Sequence, residues 1–229
     1  MNYVLTLLAG IALFGVFAGS TEPVITELRG TVIEPILHSL HSGNSIIFNL
    51  SVSYLGSFFF WLLVVVHPEA RRRKLLRDNL ARQYRYFKEA VLQILLWSSV
   101  GSHDSNLPKE LCNHVRFREF FDADGKKNWY AALNGLQDRP DYLKDLLFEM
   151  EILASEVAYI LNNVPIHDES VHRSMKLLKE NIHRLRHSTV YSSDPAKNVG
   201  NFLWGILARW SFIDGQRQDD FVELTIAKI

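Results

Sequence analysis

SIIFNLSVSYLGSFFFWLLVVV, then HPEA, then RRRKLLRDNLARQYR: residues 45–85 decide how this chain is read. The first 22 residues, Ser45 to Val66, are uncharged and mostly apolar. As a helix they extend roughly 33 Å, enough for a hydrocarbon core of about 30 Å. Arg71, Arg72, Arg73 and Lys74 follow almost at once. A dense basic flank of this kind holds its side of a span in the cytoplasm and meets anionic headgroups there. The stretch therefore predicts a membrane span with a cytosolic domain after it.

Charge is segregated along the chain although 25 basic and 25 acidic residues cancel overall. Residues 1–66 carry a net −2, 67–100 a net +5, 101–165 a net −4 and 166–229 a net +1. The neutral total hides this, so local charge is the informative quantity. The single cysteine, Cys112, excludes an internal disulfide and suits a reducing compartment.

Working outward to the N-terminal side, residues 2–19 are uncharged. They read as a first membrane helix or as a signal peptide. The start Met1-Asn2-Tyr3 lacks the basic n-region of a signal, which favours a retained helix. Gly15 and Gly19 make a small-xxx-small pair that permits close helix approach, although both residue types are common in membrane helices anyway. Residues 20–44 would connect the two spans. Thr21 and Pro23 read as a helix start, and Val24, Leu28, Val32, Ile36 and Leu40 recur every four residues, predicting an amphipathic helix up to Ser42-Gly43. His38 and His41 near its end read as interfacial polar residues or as a pH sensor. Two spans with a cytosolic basic flank place both termini inside and residues 20–44 outside.

The main span carries a polar line: Ser45, Asn49, Ser53 and Ser57, each four residues from the next. An asparagine in lipid needs a partner. The line is read either as a hydrogen-bonded seam, within the hairpin or between copies, or as the lining of a pore. Beyond the span, Pro68 is expected to open a helix to about Ser98, with Leu76, Leu80, Tyr84, Phe87, Val91, Ile94 and Leu95 on its apolar stripe. Arg77, Arg82, Arg85 and Lys88 fill its other faces. They would hold a partner, nucleic acid included, or pair with an acidic helix further on.

That acidic helix is predicted from an Asp138 cap and Pro140 to about Asn162, with Asp141, Asp145, Glu149, Glu151 and Glu156 outward. Before it come a loop over Gly101–Asn106, a short helix from Pro108 to Phe121, a turn at Asp122–Gly125 and a helix over Trp129–Leu136. After it, Asp168 caps a helix whose Val171, Met175, Leu178, Ile182 and Leu185 form a heptad seam, either inside the bundle or between copies. A last long helix is expected from Asp194-Pro195 through Trp210 and Ile213 to Gly215, followed by a tail apolar enough to dock. The expected fold class is all-α: a two-helix transmembrane hairpin, residues 1–66, and a cytosolic bundle of five to seven helices, residues 67–229.

No nucleotide-binding, metalloprotease or CxxC motif occurs, and the Asp122–Gly125 turn lacks the ligand pattern of an EF-hand. Cys112 and His114 are two apart, which sends them to different sides of a helix. His183 and His187 have metal-compatible spacing, with His172 eleven residues earlier, but sequence supplies no further ligand. A membrane-attached HEPN-type RNase would need Arg, four to six residues, then His. The nearest approach, Glu180-Asn181 to His187, has Glu in the Arg position. No catalytic residue, metal or cofactor is therefore assigned, and the expectation is a protein that is not an enzyme.

With its hairpin, its FFFWLLVVVHPEARRRK junction over residues 58–74 and its helical cytosolic domain, the chain resembles small bacterial membrane effectors of anti-phage systems. The layout is most similar to a two-transmembrane effector associated with a retron. The resemblance implies an inner-membrane protein whose cytosolic domain is restrained or triggered by a partner, such as a reverse transcriptase or a nucleic-acid-containing complex. It also implies homo-oligomerisation and permeabilisation of the bilayer. The alternative reading is a constitutive membrane-anchored scaffold with no toxic output.

Overall fold

The computed structural model describes residues 2–21, 30, 34–188, 194–211, 213 and 215–229. It is almost entirely α-helical and divides into two compact units, Met1–Arg72 and Arg73–Ile229. The division falls inside the basic cluster rather than before it.

The first unit is a helical hairpin. Helix α1, Asn2–Gly19, packs antiparallel on α3, Ser45–Trp61. Asn44 caps α3 by accepting from the Ile46 N–H at 2.9 Å, and the Ser42 N–H donates to the Ala18 carbonyl at 2.7 Å, closing the turn end. Of the expected connector helix, only α2, Glu34–Leu40, is described. Pro23 of its predicted start and the periodic residues Val24, Leu28 and Val32 lie outside the described residues.

Pro68 does not open a helix. Helical structure runs unbroken from Ser45 to Ser99, and a π-helical turn, Leu62–Val66, precedes α4, His67–Ser99. The His67 N–H reaches back five residues to the Leu62 carbonyl. A proline inside a helix has no N–H to give and crowds the carbonyl four residues earlier; a widened turn upstream accommodates both defects. Among the described residues one helix, starting at Ser45, is long and apolar enough to cross a membrane; α1 is a shorter apolar helix.

The second unit packs eight helices among the described residues: α4 from Arg73 onward, α5 Leu107–Leu111, α6 His114–Phe121, α7 Ala123–Asp138, α8 Pro140–Asn163, α9 Glu169–Ser188, α10 Pro195–Leu207 and α11 Phe221–Ala227. The predicted stripe of α4 is buried at Leu76, Leu80, Tyr84, Phe87, Val91 and Leu95. An aromatic cluster of Phe117, Phe121, Trp129 and Trp204 ties α6, α7 and α10 together through centroid distances of 4.8–5.9 Å. The heptad residues of α9 face this core, so the seam is internal to the bundle.

Several boundaries differ from expectation for local reasons. The predicted Pro108–Phe121 helix breaks because Asn113 turns its side chain onto the Val115 N–H at 2.9 Å and starts α6 afresh. Asp138 ends α7 rather than capping α8. Helix α10 stops at Leu207. Arg209 then adopts φ 55°, reversing the chain, and Trp210–Ser211 pairs antiparallel with Gly215–Gln216 as β1 and β2. Ile213, expected inside a helix, is 92% exposed at this hairpin.

Candidate functional site

Two features of the sequence reading carried function: the polar line in the span and the basic continuation after it. In the hairpin, the tight seam is not the predicted polar line. Gly15 and Gly19 make the closest approach: a Cβ on Gly19 would lie 2.7 Å from the Phe48 nitrogen and 2.8 Å from the Asn44 carbonyl. Ser51 is buried against Gly15, and the Tyr54 hydroxyl donates to the Leu5 carbonyl at 3.1 Å. Ser51 lies about 200° around the helix from both Asn49 and Ser53. Ser45, Asn49, Ser53 and Ser57 accordingly sit on the opposite, exposed face. The Ser57 hydroxyl satisfies itself on the Ser53 carbonyl at 3.0 Å, whereas the Asn49 amide has no hydrogen bond among the described residues. The seam-within-the-hairpin reading of this line is thereby corrected, and the line faces outward. Ser51 was missed by sequence reasoning, although the four-residue spacing of Gly15 and Gly19 pointed to the face it meets.

Of the orientation cluster, Arg71, Arg72 and Lys74 are exposed, and Arg73 donates to the Pro165 carbonyl at 3.2 Å. Further along α4, Arg82 and Arg85 are exposed, and Arg77 bonds its neighbour Asp78 at 3.3–3.4 Å.

Lys88 departs from the expected partner-binding surface. It is 6% exposed, and its ammonium meets Asp220 at 3.2 Å and Glu223 at 2.6 Å. The Tyr84 hydroxyl donates to both Asp220 oxygens, at 3.0 and 3.1 Å. Asp220 also caps α11 by accepting from the Val222 and Glu223 N–H groups at 3.0 and 3.2 Å. Burial first, then the Asp220 charge and hydrogen bond, push the Tyr84 hydroxyl pKa well above its ordinary value. The partner of Lys88 is thus the C-terminal tail, not α8. Of the acidic residues of α8, Glu151 instead pairs with Arg186 of α9, and Asp141 with Lys144 of its own helix. Sequence reasoning assigned Asp220 no role beyond its place in a tail apolar enough to dock; its bond to a lysine 132 residues earlier lies beyond any local pattern.

The residues screened for chemistry do not assemble. Cys112 donates its thiol to the Pro108 carbonyl at 3.4 Å, and burial pushes its pKa up to about 11. At pH 8 about 0.1% of such a thiol is ionised, against roughly a tenth of one at the ordinary 9.0, so iodoacetamide is expected to label Cys112 about a hundred-fold more slowly than a free thiol. The rate should climb about ten-fold per pH unit up to pH 10; labelling at the free-thiol rate would contradict this environment. Burial and the Arg209 and Arg118 charges lower the pKa of His114, which makes no bond to Cys112. His183 and His187 stack edge to face, centroids 4.4 Å apart, and no group of three metal-ligating side chains occurs among the described residues. His38 approaches Glu34 at 3.8 Å, and the His41 Nδ1 is buried without a partner among the described residues.

The chain matches no protein-family model, no curated protein and no solved structure.

Proposed function

We propose that this chain is a non-enzymatic effector of the bacterial inner membrane, crossing it twice with both termini in the cytosol. Its cytosolic bundle is restrained or triggered by a partner. Released copies associate through the polar face of α3 and permeabilise the bilayer. The observation that carries this reading is the exposed line Ser45, Asn49, Ser53 and Ser57 on an otherwise apolar hairpin whose own seam lies elsewhere. In hydrocarbon an unbonded asparagine amide is costly. Another copy's polar line, or water between copies, satisfies it, and helices in lipid associate through such side chains. Arg71, Arg72, Arg73 and Lys74 fix the cytosolic flank, and Arg77, Arg82 and Arg85 offer the partner a basic surface. The assignment to anti-phage defence, with a reverse transcriptase or other nucleic-acid-containing complex as partner, is supported by the resemblance of the junction over residues 58–74.

The test is membrane potential in bacteria induced to express the chain, read with a potential-sensitive dye. The native sequence should depolarise the cells. Asn49→Leu combined with Ser53→Leu should restore the potential while the protein still fractionates with membranes. Intact potential with the native chain would instead leave the constitutive scaffold as the reading.

A further inference from the structure

The second unit contains a cavity of about 460 Å³ between α7 and α10, with Trp210 of β1 also lining it. Its volume lies within the range of small-molecule sites. Trp129 and Trp204 form part of its lining, packed edge to face at 5.0 Å. Tyr130 and Trp210 also line the cavity yet remain 56% and 45% exposed. Every other tryptophan of this unit packs against another ring; these two side chains make no ring–ring contact among the described residues.

Two ammonium groups complete the lining. Lys126 extends over the Trp204 ring, 4.2 Å from its centroid, and lies 3.8 Å from Asp122. Lys197 is exposed and has no ion pair among the described residues. Asp194 supplies the one carboxylate among the lining residues, and it is already engaged. It accepts from the Lys197 N–H at 2.9 Å and the Gln137 amide at 2.8 Å, and these bonds hold its carboxyl below the usual range. The cavity is therefore net basic, with side-chain amides of Asn134 and Asn201 also lining it.

The backbone at its edge is unusual. Asp124, Gly125 and Lys126 take φ values of 49°, 69° and 66° in succession. This left-handed region suits Gly, is tolerated by Asp and is unfavourable for Lys. Strain of this kind persists where surrounding structure over-determines it and concentrates at ligand sites. Here it carries the lysine that overlies Trp204.

We propose that this cavity binds a nucleotide, its base stacked against Tyr130 and Trp210 and its phosphate held by Lys126 and Lys197. A simple anion has no use for two uncovered rings, and an apolar ligand has none for two ammonium groups; a base joined to a phosphate uses both. The same chemistry is presented by a free nucleotide and by single-stranded nucleic acid. The proposal does not depend on membrane permeabilisation, because binding is measured directly.

The experiment titrates the full chain in detergent micelles with AMP, followed by tryptophan fluorescence and calorimetry. Saturable binding with a Kd below about 1 mM is expected. Adenosine and ribose 5-phosphate, each lacking half of the ligand, should bind at least about ten-fold more weakly. Lys197→Ala and Tyr130→Ala alter exposed side chains and should each raise the Kd about ten-fold with circular dichroism unchanged. A twelve-residue oligoadenylate separates the sources: about a hundred-fold tighter binding than AMP identifies a strand as the ligand, and equal or weaker binding a free nucleotide. No saturable response to either probe up to about 5 mM overturns the proposal. So does binding that both substitutions leave unchanged.

Discussion

Lys88→Ala should destabilise the second unit by about 3–5 kcal/mol, the largest effect expected from any single charge in this protein. Both partners of the Lys88–Asp220 pair are almost fully buried, with side-chain exposures of 7% and 4%. Removing the ammonium leaves the Asp220 carboxylate inside the protein, facing the Tyr84 hydroxyl and two backbone N–H groups but with no ion pair among the described residues. The second carboxylate, Glu223, is half exposed, so solvent takes over its charge at little cost. Four of the five tryptophans lie in this unit, so urea unfolding followed by their fluorescence reports the loss. Adding Asp220→Asn should recover part of it, because the amide oxygen still caps α11 without a stranded charge. A loss below about 1 kcal/mol for Lys88→Ala would sink the buried-pair account. Alkali attacks the same region. The pKa values of Tyr84 and Cys112 are raised above 10.0 and 9.0, so their contribution is complete below those values. It is then lost as pH climbs from them toward the folded-state values.

Gly135→Ala should cost the second unit about 2 kcal/mol. A Cβ on Gly135 would collide with the Ser98 carbonyl, a backbone group of α4 that cannot rotate away. Overpacking of this kind costs up to about 3 kcal/mol. The better helix propensity of alanine returns about 1 kcal/mol, so steric cost wins. The same urea titration decides: stabilisation by Gly135→Ala would show that α4 and α7 are not in contact at this point.

The contrast between these sites marks what the sequence could convey. Periodicity exposed the buried stripe of α4, the seam of α9 and the helical class, because each depends on residues three or four apart on one element. Caps at Asp168 and Asp194 were legible for the same reason: each bonds an N–H two or three residues ahead. Lys88 was misread because its helix-face position resembles that of Arg85, and only the arrival of α11 covers one and not the other. The cavity between α7 and α10 was equally hidden: its lysines are 71 residues apart and its rings come from α7, α10 and β1.

The stretch over residues 45–85 shows where the boundary lies. By itself the sequence determined that it is helical, apolar up to Val66 and basic from Arg71, because composition and period are local properties. Tertiary structure decided which face of it is spent. Gly15 and Gly19 draw α1 onto the Ser51 side of α3 and leave Asn49 outward, and the C-terminal tail claims Lys88 while Arg82 and Arg85 stay exposed. Periodicity ranks the faces of a helix by polarity; which face is buried also depends on which distant segment can approach it, and here two glycines and one aspartate made that choice.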